Sequence, residues 1–275
     1  YNDETAPLSP ISSDDVFNEP LFDFYIKTAY NAASSGNFKN SFVDSDSTDP
    51  PFCALSTCLR QGCRCLDFEI YSVNQEPVIS TSSIDSNNIK ETFNYLQFSK
   101  AMQFLSENAF SASMTPCFSD PLILNFRVMS NIPNNPIYPK IGTALLNSFQ
   151  DRVLETKYNL MNNCTNIGQL PLSFFKEKVM IIIDSKTYNH LKTICPPILM
   201  DCSGNSSNLA NSSETIGNQE GDRSDTNCQS PNLLEFCNMH IDSPFLHSYR
   251  QKQLKLQDSN QLAFSNKTLM TMVLP

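Results

Sequence analysis

LRQGCRCLDFEIY (59–71) decides how the chain is to be read. Cys63 and Cys65 flank Arg64, and Asp67 and Glu69 follow one residue apart inside an otherwise apolar run. In a β-strand, residues two apart point to the same side. Cys63, Cys65, Asp67 and Glu69 would therefore share one face, and Arg64, Leu66, Phe68 and Ile70 the other. Two neighbouring carboxylates repel unless a cation, a proton or an arginine lies between them, so the pattern points to a hard-metal site, present or former. The plainer alternative is an edge strand with solvated acids, in which the pattern carries no chemistry.

The rest of the composition narrows the setting. With 275 residues and 40% hydrophobic content the chain can bury a full core, as one barrel-sized domain or two smaller ones. A net charge of -9 and a pI near 4.8 argue against a nucleic-acid partner, which would need clustered Lys and Arg. Apolar runs such as VMIII (179–183) and LILNF (122–126) are strand-length, far short of the roughly 20 residues that span a bilayer, so no transmembrane segment is expected. The opening YNDETAPLSPISSDD (1–15) is acidic, lacks an apolar core and starts without Met, which reads as a fragment or processed form and not as a signal peptide. The ten cysteines fall neither in CxxC pairs nor in a small secreted frame, so free, mostly buried thiols in a reducing compartment are expected. Glycosylation-type tripeptides at Asn163, Asn205, Asn211 and Asn266 are read as chance in so Asn- and Ser-rich a chain.

Along the chain, residues 1–20 read as an extended polar arm. Strands are expected at 24–29, 63–71, 76–80, 121–129 and 177–184, and helices at 51–62, 88–110 and 140–158. Strand and helix alternate, which is α/β order. Segment 185–201 is a connection, and 202–231, with almost no large apolar residue, reads as a mobile Ser/Asn-rich linker. A short helix at 232–239, an apolar turn or helix at 243–250 and a last strand at 268–275 complete the same domain.

The order of these segments resembles the catalytic X region of the phosphoinositide-specific phospholipases C over about 18–184. NEPLFDFYIKTAYNA (18–32) resembles the family's opening strand, which runs into Ser-His-Asn-Thr. LRQGCRCLDFEIY is similar to its Gly-Cys-Arg-Cys stretch with Glu-Leu-Asp following, and QEPVISTSS (75–83) to Glu-Pro-Ile-Ile-Tyr-His-Gly. FSKAMQFLSENAF (98–110) is similar to a family helix ending in Tyr-Ala-Phe, and PLILNFRV (121–128) to Pro-Val-Ile-Leu-Ser-Leu-Glu-Asn. LPLSFFKEKVMIIID (170–184) resembles Leu-Pro-Ser-Pro, then Leu-Lys-Gly-Lys and a strand. A weaker likeness links 232–261 to the start of the family's Y region, reduced here. The resemblance implies an α/β fold, a TIM-barrel-like phosphodiesterase barrel, distorted or incomplete in its second half, with its site at the C-terminal ends of the strands.

It also implies a reaction in which two histidines and a calcium ion promote attack of an inositol hydroxyl on a phosphodiester. Tyr30 and Thr81 occupy the two histidine positions, and neither can shuttle a proton near pH 7 as imidazole can. His190, His240 and His247 all lie beyond the X-like region and read as ordinary surface or turn residues. Of the calcium ligands Asn31 is kept, Asp67 and Glu69 keep their charges with lengths exchanged, and Arg127 stands in place of a Glu. A guanidinium beside two carboxylates supplies the charge an ion would supply, so no bound metal is expected. The phosphate-binding lysines fall at Ile182 and Asp184, which cannot hold a phosphate. The expected function is a non-catalytic phospholipase-C-like module, binding an unknown protein partner or a membrane surface, cytoplasmic or in a virus particle. The alternative is an active phosphoinositide phosphodiesterase with a rearranged site.

Overall fold

A computed structural model describes residues 16–35, 52–83, 88–162, 166–195, 231–254 and 256–274. The expected linker at 202–231 lies outside them except for Pro231, as does the arm before Val16. The first elements are β1 (Thr28–Ala29), α1 (Cys53–Arg60), β2 (Cys65–Val73) and β3 (Glu76–Ser80). Asn74 and Gln75 join β2 to β3 as a two-residue turn, and their φ angles of 52° and 63° match the primed turns that suit a twisted hairpin. Then come β4 (Leu96–Gln97), α2 (Phe98–Asn108), β5 (Leu122–Val128), α3 (Ile137–Phe149), β6 (Val179–Ile183) and α4 (Ser185–Ile194). The described chain ends with β7 (Met239–His240), β8 (Leu246–Arg250), α5 (Gln251–Leu254), α6 (Ser259–Thr268) and β9 (Met270–Leu274).

These elements form a mixed α/β domain around a seven-stranded sheet of order β4-β3-β2-β5-β6-β7, with β1 beside β2. β1, β2, β5, β6 and β7 run parallel, and β3 and β4 turn back antiparallel. Leu66, Phe68 and Ile70 of β2 point to the same side as Leu124 and Phe126 of β5, into a core closed by α1, α2 and α3. The other side carries Cys65, Ile123, Met180 and Ile182, packed against Leu21, Ile167, Phe175 and Leu246. The alternation read from 63–71 therefore holds along β2 from Cys65 onward, whereas Cys63, which precedes the strand, packs in the core of Leu66 and Phe68 and not on the face of Cys65. The acids of β2, however, are not on a solvated edge, because the strand lies inside the sheet.

The barrel expected from the sequence is not closed among the described residues. β8 and β9 pair with each other, and the main sheet ends at β4 and β7. Other differences have local causes. The helix expected from Asn88 begins only at Phe98, because Leu96 and Gln97 pair with β3, and Phe93 is 82% exposed. The helix expected over 140–158 stops at Phe149, since Val153 bridges to Val179 and Leu154 enters the inner core. Segment 243–250 is not a helix but contains β8, whose partner β9 is too distant in sequence to leave a local sign. Segment 232–239 makes only a 3₁₀ turn, Leu233–Glu235, before β7, and 185–201 contains the full helix α4. Among the described residues six cysteines are free, of which Cys53 and Cys58 are half-buried and Cys63, Cys65, Cys117 and Cys237 buried. Cys195, by contrast, is disulfide-bonded, so the thiols do not argue for a reducing compartment. Disulfide connectivity is not deducible from sequence.

Gly142 marks where α3 meets the segment leading to β7. A Cβ there would stand 2.6 Å from the Pro231 carbonyl oxygen. Alanine is favoured over glycine in a helix by about 1 kcal/mol, but a clash with backbone costs about 1–3 kcal/mol, so the clash prevails. Gly142→Ala is therefore expected to lower the thermal melting point, whereas a surface-helix Gly→Ala would raise it.

Candidate functional site

Asp67 and Glu69 leave the sheet on its inner face, beside Asn125 and Arg127 at the matching positions of β5. The parallel register pairs Asp67 with Asn125 and Glu69 with Arg127, so one guanidinium reaches both carboxylates. Arg127 donates from Nε to Asp67 Oδ1 at 3.0 Å and from an Nη to Asp67 Oδ2 at 2.7 Å. Its other Nη donates to Glu69 Oε1 at 3.0 Å. The acids are almost wholly buried, with side chains 3% and 0% exposed, and Arg127 is 12% exposed.

The remaining lone pairs are also used. Asp67 Oδ1 accepts from Asn125 Nδ2 at 2.7 Å, and Asp67 Oδ2 from the Asn31 amide at 3.1 Å. Glu69 Oε1 accepts from Asn31 Nδ2 at 3.4 Å, while Glu69 Oε2 accepts from the Tyr71 hydroxyl at 2.8 Å and the Ser82 amide at 2.9 Å. Every carboxylate oxygen thus accepts two hydrogen bonds, the ordinary capacity of such an oxygen. Burial works against the charge of Arg127, yet the hydrogen bonds and negative charge of Asp67 and Glu69 outweigh it and hold the guanidinium more firmly protonated than usual. Burial, then the charge of Glu69, keeps the Tyr71 hydroxyl protonated well above the ordinary tyrosine range.

Asn31 sits at φ 46°, a left-handed conformation that asparagine tolerates better than most residues. Its Oδ1 accepts from Arg127 at 2.9 Å, and the next amide, Ala32 N, donates to the Asp67 carbonyl at 2.9 Å. The Arg127 guanidinium carbon lies 4.5 Å from the centre of the Tyr30 ring, a cation–π contact that covers the clamp from outside. Thr81 is buried at the end of β3, where its carbonyl accepts from the Glu91 amide at 3.3 Å.

Ile182 and Asp184 do not join this cluster. Ile182 is 1% exposed in the inner core. Asp184 caps α4: its carboxylate accepts from the Thr187 amide at 2.8 Å and from the Val128 amide at 3.1 Å, which ties the end of β5 to the helix. Next to the clamp lies a cleft of about 410 Å³ bordered by Tyr30, Arg127, Asp184, Lys186 and Arg250. Lys186 donates to the side-chain oxygens of Asn88 at 2.9 Å and Asn131 at 2.7 Å. The sequence reading missed Lys186. It continues the alternation of Ile182 and Asp184 by one step, but that step crosses from β6 into α4. Of the histidines, His240 is not a surface residue: it is half-buried and stacks on Tyr188 at 3.9 Å.

The structure is similar to the crystal structures of PLC21 from L. pealei, at 14% identity with a TM-score of 0.59, and of PLC21 from S. officinalis, at 14% identity with a TM-score of 0.55. The chain folds like a phosphoinositide-specific phospholipase C. In both comparisons 94% of this chain is covered, and it spans 31% of the length of the other. A calcium-dependent phosphoinositol-specific phospholipase C from Pseudomonas sp. aligns with a TM-score of 0.47, at 11% identity over 99% of this chain and 88% of that one. No protein-family model and no curated protein sequence matches the chain. Within this phospholipase C fold the clamp joins the first half of β2 to the second half of β5.

Arg127→Leu would leave two buried acids without their cation. Breaking a buried charge cluster on one side costs about 3–5 kcal/mol, so this variant is expected to melt well below the parent. A melting curve superimposed on the parent's would mean that the clamp does not form in solution.

Proposed function

We propose that this domain is a catalytically inert relative of the phosphoinositide-specific phospholipases C, serving as a binding or structural module. The observation that carries the reading is the clamp of Arg127 on Asp67 and Glu69. The ion that the family uses requires six to eight oxygen ligands with lone pairs free. Here the carboxylate oxygens and Asn31 Oδ1 all accept hydrogen bonds, and a guanidinium fills the space between them. Calcium does not fit this donor set. On this reading Asn31, Asp67, Glu69 and Arg127 are a former metal site.

The positions matched to the acid and base support the same reading. Tyr30 covers the clamp and Thr81 is buried, and neither titrates usefully near neutral pH. The positions matched to the phosphate lysines hold a core residue and a helix cap. The rival reading, an active phosphodiesterase with a rearranged site, draws its support from Lys186 beside the cleft. Lysine supplies a cation for an anionic group but not the proton transfer near pH 7, which contributes about 10²–10⁴ in rate. A protein partner or a membrane surface remains the proposed target. No helix among the described residues is long and apolar enough to cross a membrane.

The test has two arms. The parent is expected to release no inositol phosphate from phosphatidylinositol or its phosphorylated forms, with or without calcium. Tyr30→His, Thr81→His and Arg127→Glu combined should gain weak, calcium-dependent cleavage, because they return two imidazoles and a carboxylate to the matched positions. Hydrolysis by the parent would overturn the proposal.

Titration calorimetry of the parent at millimolar calcium is expected to give no saturable heat. A sub-micromolar site lost on Asp67→Asn would contradict the account of the clamp.

A further inference from the structure

The C-terminus of α1 brings two thiols together by backbone geometry alone. Gly62, at φ 73°, takes the left-handed position that ends many helices. Its amide donates to the Leu59 carbonyl at 2.9 Å, and the Cys63 amide donates to the Cys58 carbonyl at 3.0 Å. This is the Schellman pattern, in which the residue after the left-handed glycine packs against the residue five earlier. In most proteins that contact is between apolar side chains. Here both are cysteines, so the cap brings two thiols to its packing positions.

The surroundings favour chemistry over simple packing. Cys63 is 5% exposed, whereas Cys58 is half-buried and open to a small reagent. Lys27, whose ammonium donates to the Gln61 carbonyl at 2.8 Å, places positive charge beside both sulfurs. The Cys58 thiol donates to the Ala32 carbonyl at 3.6 Å. Ala32 follows Asn31, so the pair touches the segment that carries the clamp.

We propose that Cys58 and Cys63 are a redox-sensitive dithiol that closes to an intramolecular disulfide by exchange with a small disulfide of the glutathione type. The pair loses its first proton easily, because the thiolate left on Cys63 accepts a hydrogen bond from Cys58 and is drawn down to about 7, with the charge of Lys27 helping. Thiolates with acidity near the ambient pH are the most effective in exchange. The proton that the contact and burial hold on Cys58 passes to Cys63, so the half-buried Cys58 sulfur, the more accessible of the two, attacks the small disulfide. One sulfur–sulfur bond breaks, a Cys58 mixed disulfide forms, and one small thiol leaves. The Cys63 sulfur then attacks Cys58 and displaces the second small thiol. Two electrons pass to the small disulfide, and the two thiol protons leave on its halves. Closure removes the Cys58 hydrogen bond to Ala32. Cys65, whose thiol burial pushes up to about 12, and Cys237, raised further by burial, are unreactive by comparison.

The intact protein, incubated with oxidised glutathione or with dithiothreitol, would be denatured, alkylated and mapped by mass spectrometry. After oxidation the peptide spanning 58–63 should lose both alkylation sites and two hydrogens, while Cys65, Cys117 and Cys237 remain alkylated. Cys63→Ser should instead retain glutathione on Cys58. In the reduced protein, native alkylation of the pair should reach half its maximal rate near pH 7. Full alkylation of Cys58 and Cys63 after oxidation would overturn the proposal, and so would glutathione held on the parent without closure.

Discussion

A single guanidinium between two buried carboxylates is the constraint on which the centre of this domain depends. Asp67 and Glu69 lie on neighbouring inward positions of β2, where they would repel across a low-dielectric interior. Only the parallel pairing of Glu69 with Arg127 and of Asp67 with Asn125 puts compensating donors opposite both acids. A slip of one residue would turn Arg127 into the outer core and leave the acids unpaired. The clamp therefore fixes the register of β2 against β5 as well as their charge balance. Buried polar clusters stabilise only when fully satisfied, and this one draws on Asn31, Tyr71, Ser82 and Asn125 to reach that state.

The same inner face is covered by elements other than a closed ring of strands. One step below the clamp along the strands, Cys65 and Ile123 are level with Met180, in an apolar cluster that includes Leu21 and Leu246. In a closed barrel such layers are completed by strands from all sides. Here β8 and β9 form a separate pair, and 3₁₀ turns at 167–169 and 172–175 supply Ile167, Leu172 and Phe175 instead. The half containing β2, β5 and β6 keeps continuous apolar strands and regular pairing, and the clamp sits on that half.

How far the sequence could be read follows from the range of the forces involved. The faces of β2 were legible because strand periodicity is local, and the pairing of Arg127 with Asp67 and Glu69 followed once the family resemblance set the strands side by side. The saturation of all four carboxylate oxygens was not legible, since Ser82 and Tyr71 reach Glu69 through the bend after β3 and the pleat of β2. Asp184 read as a misplaced phosphate position, yet it is the cap of α4, a role that an Asp followed three residues later by Thr187 could have suggested. Helix ends were misjudged where tertiary pairing overrode pattern, at Leu96 and at Val153. The thiol contact was within reach of the sequence, because Cys-x₃-Gly-Cys at a helix end is a Schellman spacing with sulfur at both packing positions.

The most direct test of the central claim is a crystal structure of the parent grown in excess calcium, refined at a resolution that separates a guanidinium from an ion. The account predicts a planar guanidinium between Asp67 and Glu69, with nitrogen–oxygen distances near those found here. A spherical density with carboxylate oxygens at about 2.3–2.6 Å, and Arg127 swung toward solvent, would contradict it.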